Sequence, residues 1–179
     1  MNKTIYLAGG CFWCTEAIFQ RIIGVYEVVP GYIDGFINNP AYREVSLGKT
    51  GHTEAISIEY NSNEVSLVEL LLIFFNTHDP TTLNKQGNDI GTQYRSGVYY
   101  IDLDQYEVIK QVINQLEKES VFNDPIVTEV KEATPFYKAE EDHINYYTQN
   151  SDQSYCTYVI DPKIKKLQKY FSKYIDIKK

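Results

Sequence analysis

The sequence contains no long apolar run and no excess of positive charge. Its apolar stretches fall well short of the ~18 residues of a transmembrane helix, and the early run Ile5 to Ala8 is too short for the apolar part of a signal peptide. The net charge is -7, whereas binding to nucleic-acid phosphates needs a basic face. These absences predict a cytoplasmic protein that binds neither a membrane nor nucleic acid.

Cysteine is scarce as well, because the 179 residues include three cysteines, an odd number. In a reducing compartment such cysteines favour free, catalytic or redox-active thiols over structural disulfides. A zinc site usually has a second C-x-x-C motif or a nearby pair of histidines. Here Cys156 stands alone, and the three histidines are widely separated in sequence, at His52, His78 and His143. We therefore expect neither a bound metal nor another cofactor, and we expect structural or supporting roles for His52 and His143.

Internal repeats, low-complexity tracts and linkers are also missing, so residues 1–179 are expected to form one domain that acts as a monomer. Short apolar or alternating runs predict strands at Thr4–Ala8, Ala55–Tyr60, Ser96–Ile101 and Ile126–Val130, with further strands around a turn in Val25–Phe36. Apolar residues at helical spacing predict helices at Phe12–Ile23, from Ser66 to about His78, at Lys138–Gln149 and after Asp161. Strands and helices that follow one another without regular βα spacing indicate a two-layer α+β fold, a mixed sheet with helices packed on it.

Three helix starts have recognisable signals. Ser66-Leu67-Val68-Glu69 is a capping box. Asp104 with Glu107 is expected to cap a helix whose inner face is Ile109, Val112, Ile113 and Leu116. In Asp161-Pro162, the aspartate is expected to be the N-cap and the proline the first helical residue.

Two long loops, residues 37–53 and 79–94, exceed the ~12 residues beyond which a loop inside a domain is usually functional or disordered. Their tyrosines, carboxylates and glycines differ from the Ser and Pro bias of disorder, so we expect them to be functional. Tyrosine is abundant in the whole chain, with 16 copies, which permits a binding pocket without proving one.

Cys11 follows Gly9-Gly10 at the junction between the first strand and the first helix. A helix N-terminus stabilises a thiolate, so this position predicts a lowered pKa and an activated nucleophile. A free cysteine that merely packs in the interior is about as common an outcome.

The segment Cys11-Phe12-Trp13-Cys14 is a C-x-x-C motif. Such a motif is found in thioredoxin-like disulfide exchangers, in zinc sites and around a nucleophile that has a neighbouring thiol. From these residues alone, an enzyme, a disulfide exchanger using Cys11 and Cys14, and a non-enzymatic redox-sensing domain all remain open.

Five blocks of the sequence, in order between about residues 4 and 156, resemble the A-type peptide methionine sulfoxide reductases. They are Gly9-Gly10-Cys11-Phe12-Trp13-Cys14-Thr15-Glu16, Asn39-Pro40-Ala41-Tyr42-Arg43-Glu44-Val45, Thr50-Gly51-His52-Thr53-Glu54-Ala55, Gln86-Gly87-Asn88-Asp89-Ile90-Gly91-Thr92-Gln93-Tyr94-Arg95-Ser96 and Ala133-Thr134-Pro135-Phe136-Tyr137. The resemblance implies a ferredoxin-like sheet and the reduction of methionine-S-sulfoxide, free or in proteins, with thioredoxin as reductant.

The same resemblance implies roles for the matching residues. Cys11 would attack the sulfoxide sulfur and become a sulfenic acid. Glu54, its pKa raised by burial, would donate a proton to the oxygen, and the hydroxyls of Tyr42 and Tyr94 would hydrogen-bond that oxygen. Asp89 would organise the polar side of the site.

The aromatic residues Phe12 and Trp13 would hold the S-methyl group of the substrate. Cys156, which follows Tyr155 as in the family, would resolve the sulfenic acid through a disulfide. Cys14 stands where the family often has glycine and is an alternative resolving thiol. Cys156 is preferred, because Cys14 on the first helical turn is expected to point away from Cys11.

Overall fold

The computed structural model describes residues 1–179 and contains a six-stranded mixed sheet with helices packed against it. The strands are β1 Asn2–Gly9, β2 Val25–Ile33, β3 Thr53–Asn61, β4 Lys85–Gln86, β5 Asp89–Ile90, β6 Ser96–Tyr100, β7 Glu129–Glu132 and β8 Tyr137–Lys138. The helices are α1 Phe12–Phe19, α2 Tyr42–Ser46, α3 Leu67–Thr77, α4 Leu103–Lys118, α5 Tyr146–Gln149 and α6 Asp161–Tyr170. The predicted α+β class is therefore confirmed.

The large sheet has the strand order β7-β6-β1-β3-β2-β8, and β4 and β5 form a separate small hairpin. All neighbours in the large sheet are antiparallel except β6 and β7, which are parallel. The central pair β1 and β3 aligns Ile5 with Ile58 and Leu7 with Ile56, and all four side chains are completely buried. This pairing brings the end of β1 close to the beginning of β3.

The main core lies between one face of this sheet and the apolar sides of α1, α3 and α4. The predicted inner face of α4 is confirmed, because Ile109, Val112, Ile113 and Leu116 are all buried. Burial of such side chains stabilises the fold by about 1.5–3 kcal/mol each. No helix combines the length and the apolar composition needed to cross a membrane.

The capping box at the start of α3 is confirmed. The hydroxyl of Ser66 accepts a hydrogen bond from the Glu69 backbone N–H, and the Glu69 carboxylate accepts one from the Ser66 backbone N–H. The cap satisfies N–H groups that a helix start otherwise leaves unpaired.

Replacing Ser66 by alanine is expected to lower the free energy of unfolding by about 1 kcal/mol, because this cap is lost. Urea unfolding of Ser66→Ala measures the change, and Ser151→Ala, at an exposed turn residue, is the control. Equal stability of the two variants would contradict the contribution of the cap.

Several local predictions are wrong. Val25–Phe36 holds one strand rather than two strands around a turn: Pro30 lies inside β2, and its carbonyl accepts a hydrogen bond from the Ala139 N–H. Proline is tolerated because only the short β8 pairs with this side of β2. The helix predicted at Phe12–Ile23 ends at Phe19. The strand predicted at Ile126–Val130 corresponds to β7, which begins at Glu129.

The helix predicted at Lys138–Gln149 is wrong for a tertiary reason. Tyr137–Lys138 is drawn into the sheet edge as β8, and Asn145 adopts a left-handed conformation with φ 54°. Only the four residues of α5 are α-helical, after a 3₁₀ turn at Glu141–His143. The helical spacing of apolar residues is outweighed here by pairing to a strand that is distant in sequence.

Two predicted caps are also corrected. The N-cap of α4 is Asp102, whose carboxylate accepts from the Gln105 N–H, rather than Asp104. Asp161 does not cap α6, because the chain enters that helix directly from a π-helical turn at Cys156–Ile160. The Asp161 carboxylate instead accepts a hydrogen bond from the Tyr147 hydroxyl.

Candidate active site

Cys11 is the N-cap of α1, directly after the glycine turn that follows β1. Gly10 has φ 90°, a left-handed conformation that favours glycine. The turn joins β1 to α1 within two residues, so that the thiol stands at the start of the helix as predicted. Cys11 retains 8% of its accessible surface.

Burial, however, raises the pKa of the Cys11 thiol well above its ordinary value, and the neighbouring Cys14 thiol and Glu54 carboxyl raise it further. The Trp13 backbone N–H at the helix start lowers it, but by less. The expectation that the helix N-terminus leaves Cys11 with a lowered pKa is therefore wrong. Loss of hydration outweighs the helix terminus here.

Glu54 lies on β3, beside the start of α1, and is 1% exposed. One carboxyl oxygen accepts a hydrogen bond of 3.0 Å from the Phe12 backbone N–H. Burial raises the pKa of Glu54 to about 8, against the opposing effect of that N–H. The predicted rise is confirmed, so the carboxyl carries its proton at neutral pH.

Tyr42 at the start of α2 and Tyr94 at the end of a 3₁₀ turn come from the two long loops, and both are half-buried. Burial raises the pKa of Tyr42 to about 12 and raises that of Tyr94 as well. At the high pH where a tyrosine ionises Glu54 is already a carboxylate, and its charge adds to each shift. Neither hydroxyl makes a hydrogen bond within the protein. Both tyrosines nevertheless lie close enough to Cys11 and Glu54 for charges on those two groups to shift their pKa values. Both O–H groups therefore remain available to an oxygen atom of a ligand.

The aromatic side of the site contains more than the two predicted residues. Phe12 is completely buried, and its ring centre lies 5.5 Å from that of His143. Trp13 is stacked on Tyr146, with ring centres 3.7 Å apart and planes at 7°. The Trp13 indole N–H donates to Nδ1 of His143 at 3.1 Å. His143 was expected to be structural or supporting, and Tyr146 was missed, because its surrounding sequence predicts an ordinary helix.

Asp89 and Tyr155 form the polar side next to Cys14. The Tyr155 hydroxyl donates a 2.6 Å hydrogen bond to the Asp89 carboxylate, and it lies 3.7 Å from the Cys14 sulfur. Tyr155 therefore links the Asp89 carboxylate to the Cys14 sulfur. Asp89 lies where the resemblance implies, but its direct partner is Tyr155.

All three cysteines are free and buried, and they meet in one cluster with Ala17 and Ile160. Cys11 and Cys14 line one cavity of about 280 Å³. Interaction with the Cys11 thiol lowers the pKa of Cys14, as does the ammonium of Lys163, although burial opposes the shift. The expectation that Cys14 points away from Cys11 is therefore wrong.

Cys156 is completely buried at the start of the π-helical turn, and burial raises its pKa. Two larger clefts, each about 510 Å³, contain none of the cysteines.

The other histidines are structural. His52 accepts a hydrogen bond from the Gly35 N–H at Nδ1 and bonds the Ile37 carbonyl through Nε2, which ties two loop segments together. His78 bridges the Phe74 carbonyl and the Ser96 hydroxyl. No group of three or more His, Cys, Asp or Glu side chains is arranged to hold a metal ion.

Comparison with known proteins finds relatives over nearly the whole chain. A family model described as peptide methionine sulfoxide reductase matches residues 3–175. Peptide methionine sulfoxide reductase MsrA from Trichodesmium erythraeum is 48% identical over 171 residues, covering 96% of this chain and 97% of the relative. MsrA from Deinococcus radiodurans is 50% identical over 164 residues, covering 92% and 80%. Among solved structures, reduced Mxr1 from Saccharomyces cerevisiae has a TM-score of 0.79 and 32% identity, covering 87% of this chain and 89% of Mxr1.

Proposed function

Because the chain belongs to the peptide methionine sulfoxide reductase family, we propose that it reduces methionine-S-sulfoxide, free or in proteins, at the site around Cys11. The observation that carries the proposal is the arrangement around Cys11 and Cys14. The protonated Glu54 carboxyl is bonded to the Phe12 N–H next to Cys11, Tyr94 packs against the thiol cluster, and the Tyr42 ring centre lies 6.4 Å from that of Phe12. A sulfoxide needs these groups, because its sulfur accepts a nucleophile only as its oxygen accepts hydrogen bonds and a proton.

In the first step the Cys11 sulfur attacks the sulfoxide sulfur. Cys11 is held as a neutral thiol, and the Cys14 thiolate, whose pKa is lowered, is the nearest acceptor for its proton. Glu54 gives its proton to the oxygen, while Tyr42 and Tyr94 hydrogen-bond it. The protonated oxygen then passes to Cys11: a bond forms between it and the Cys11 sulfur, while the substrate sulfur–oxygen bond and the new sulfur–sulfur bond break. Methionine leaves, and Cys11 is a sulfenic acid.

The apolar surface for the S-methyl group comes from four aromatic rings, those of Phe12, Trp13, His143 and Tyr146. Their rings are fixed by stacking and by the hydrogen bond from Trp13 to His143. Such preorganisation limits the orientations in which a sulfoxide can approach Cys11.

In the second step Cys14 attacks the sulfenic sulfur of Cys11, so that a disulfide forms and water leaves. We propose Cys14 rather than Cys156, because Cys14 lines the same cavity as Cys11 and Cys156 does not. The pKa of Cys14 is also lowered, whereas that of Cys156 is raised. The Asp89–Tyr155 pair lies against Cys14 and would fix the position of its sulfur.

A dithiol must then reduce the disulfide, and the resemblance implies thioredoxin. The yeast protein Mxr1 is known in complex with Trx2. For this chain we propose the same class of reductant. All the groups of the site come from one chain, which supports a monomer as the working unit, and we propose the cytoplasm as its compartment.

Turnover of separated sulfoxide epimers tests the function. With dithiothreitol as reductant, the protein is expected to convert methionine-S-sulfoxide to methionine and to leave the R epimer unchanged. Failure to form methionine from either epimer would contradict the proposal. Reduction of insulin disulfides without sulfoxide activity would instead favour a thioredoxin-like exchanger that uses Cys11 and Cys14.

A further inference from the structure

Glu16 is a buried carboxyl for which the proposed reaction has no role. It lies on α1, one helical turn after Trp13, and is 1% exposed. Its Oε1 accepts a hydrogen bond of 2.9 Å from the backbone N–H of Asn145 and one of 3.3 Å from the Gln20 side-chain amide. A carboxyl in such a position costs free energy unless it is hydrogen-bonded, so its partners indicate what it does.

Those partners belong to the segment that begins α5. Asn145 has a left-handed backbone with φ 54°, and it is the residue directly before Tyr146. Its side-chain oxygen accepts a second hydrogen bond, of 2.6 Å, from the same Gln20 amide. Helix α1 therefore holds both the backbone and the side chain of Asn145.

Tyr146 is the next residue, and its ring is stacked on Trp13 at 3.7 Å. Residues three apart on a helix lie on the same side, so α1 presents the Trp13 ring and the Glu16 carboxyl toward the same loop. This stretch is also held by the short α5, by the 3₁₀ turn at Glu141–His143 and by a hydrogen bond of 2.9 Å from the Tyr146 hydroxyl to the Gln153 side chain. The hydrogen bonds to Asn145 fix the residue directly before Tyr146, and they therefore help to fix the position of the Tyr146 ring.

We propose that Glu16, with Gln20, is a positioning residue that holds Tyr146 over Trp13 and so fixes the wall of the pocket that receives the S-methyl group. This inference rests on the proposed function for its consequence in catalysis, but the stacking itself can be measured separately. An apolar side chain at position 16 would fill the space yet could not accept the Asn145 N–H.

The chain offers a direct probe, because Trp13 is its only tryptophan. In Glu16→Ala, the Trp13 emission is expected to shift to the red and to become more accessible to acrylamide quenching, because Tyr146 leaves the ring. KM for methionine-S-sulfoxide is expected to rise about 10-fold, which corresponds to about 1.4 kcal/mol, with kcat changed less than about twofold since no reacting group is altered. Glu16→Gln is expected to restore both readouts, because its amide oxygen accepts the same N–H.

Glu107→Ala, at an exposed position of α4, is the matched control and should change neither readout. If Glu16→Ala does not fold, Gln20→Ala removes the amide that ties α1 to Asn145 and should move both readouts in the same direction by a smaller amount. Unchanged Trp13 emission in the variants, or a Glu16→Gln variant as impaired as Glu16→Ala, would overturn the proposal. Because the emission is read without substrate, it tests the position of Tyr146 even if the protein reduces no sulfoxide.

Discussion

Cys14→Ser is expected to stop thioredoxin-driven turnover after one methionine per chain, whereas Cys156→Ser is expected to keep cycling. Without the Cys14 sulfur, the sulfenic acid on Cys11 has no partner in its own cavity, and thioredoxin has no disulfide to reduce. Cys11 is still the nucleophile of the first turnover, so one equivalent of methionine forms, although more slowly because the Cys14 thiolate no longer accepts the Cys11 proton. Quantifying methionine per chain, without reductant and with excess thioredoxin, measures both quantities.

Cys11→Ser is the blank for this experiment and should form no methionine. If Cys156 is the resolving thiol, the two variants are expected to behave the other way round. A Cys14→Ser variant that cycles normally, together with a Cys156→Ser variant that stops after one equivalent, would transfer the resolving role to Cys156.

Glu54→Gln is expected to lower the single-turnover rate by about 10²–10⁴-fold, the usual contribution of a positioned general acid. The amide keeps an oxygen for the Phe12 N–H, so substrate binding and the fold should persist. Rapid-quench measurement of methionine formed in one turnover separates this loss from any effect on disulfide reduction.

The pH profile provides a second readout for Glu54. Its pKa of about 8 means that the acid form predominates below pH 8. The wild-type rate should therefore fall as the pH rises through about 8, and this decline should be missing in Glu54→Gln. Glu59→Gln, in the same strand, is the control and should retain both the rate and the decline. A decline near pH 8 that persists in Glu54→Gln would assign it to another group.

Structural features that depend on residues close together in the chain could be predicted from the sequence. The strand, glycine turn and helix around Cys11 and the capping box at Ser66 depend on neighbours in the chain, and both are found as predicted. Helix α4 is long and regular enough for its apolar face to be recognised. The helix at Lys138–Gln149 failed because a sheet edge and the left-handed Asn145 decided its conformation.

The site itself was readable only in part. Tyr42 and Tyr94 are two of 16 tyrosines, and no periodicity separates them from the rest, so only the family resemblance identified them. The pKa of Cys11 was wrongly predicted because the helix terminus is visible in the sequence, whereas the extent of burial is not. Glu16 and Tyr146 were missed for a related reason, since the hydrogen bond from Asn145, the residue before Tyr146, to Glu16 joins residues 129 positions apart in the chain.

Helix α1 has almost no solvent-exposed surface. Seven of its eight residues are buried, and the remaining one, Trp13, is covered by Tyr146 and His143. Its turns carry the nucleophile and the backbone donor to Glu54, and they also support the main core and the thiol cluster. Because α1 has no solvent-exposed face, a substitution at any of its positions is expected to disturb a packing contact or a hydrogen bond. Engineering for stability or for new substrates therefore has more freedom on α4, whose outer face is solvated, than on the eight residues that follow Cys11.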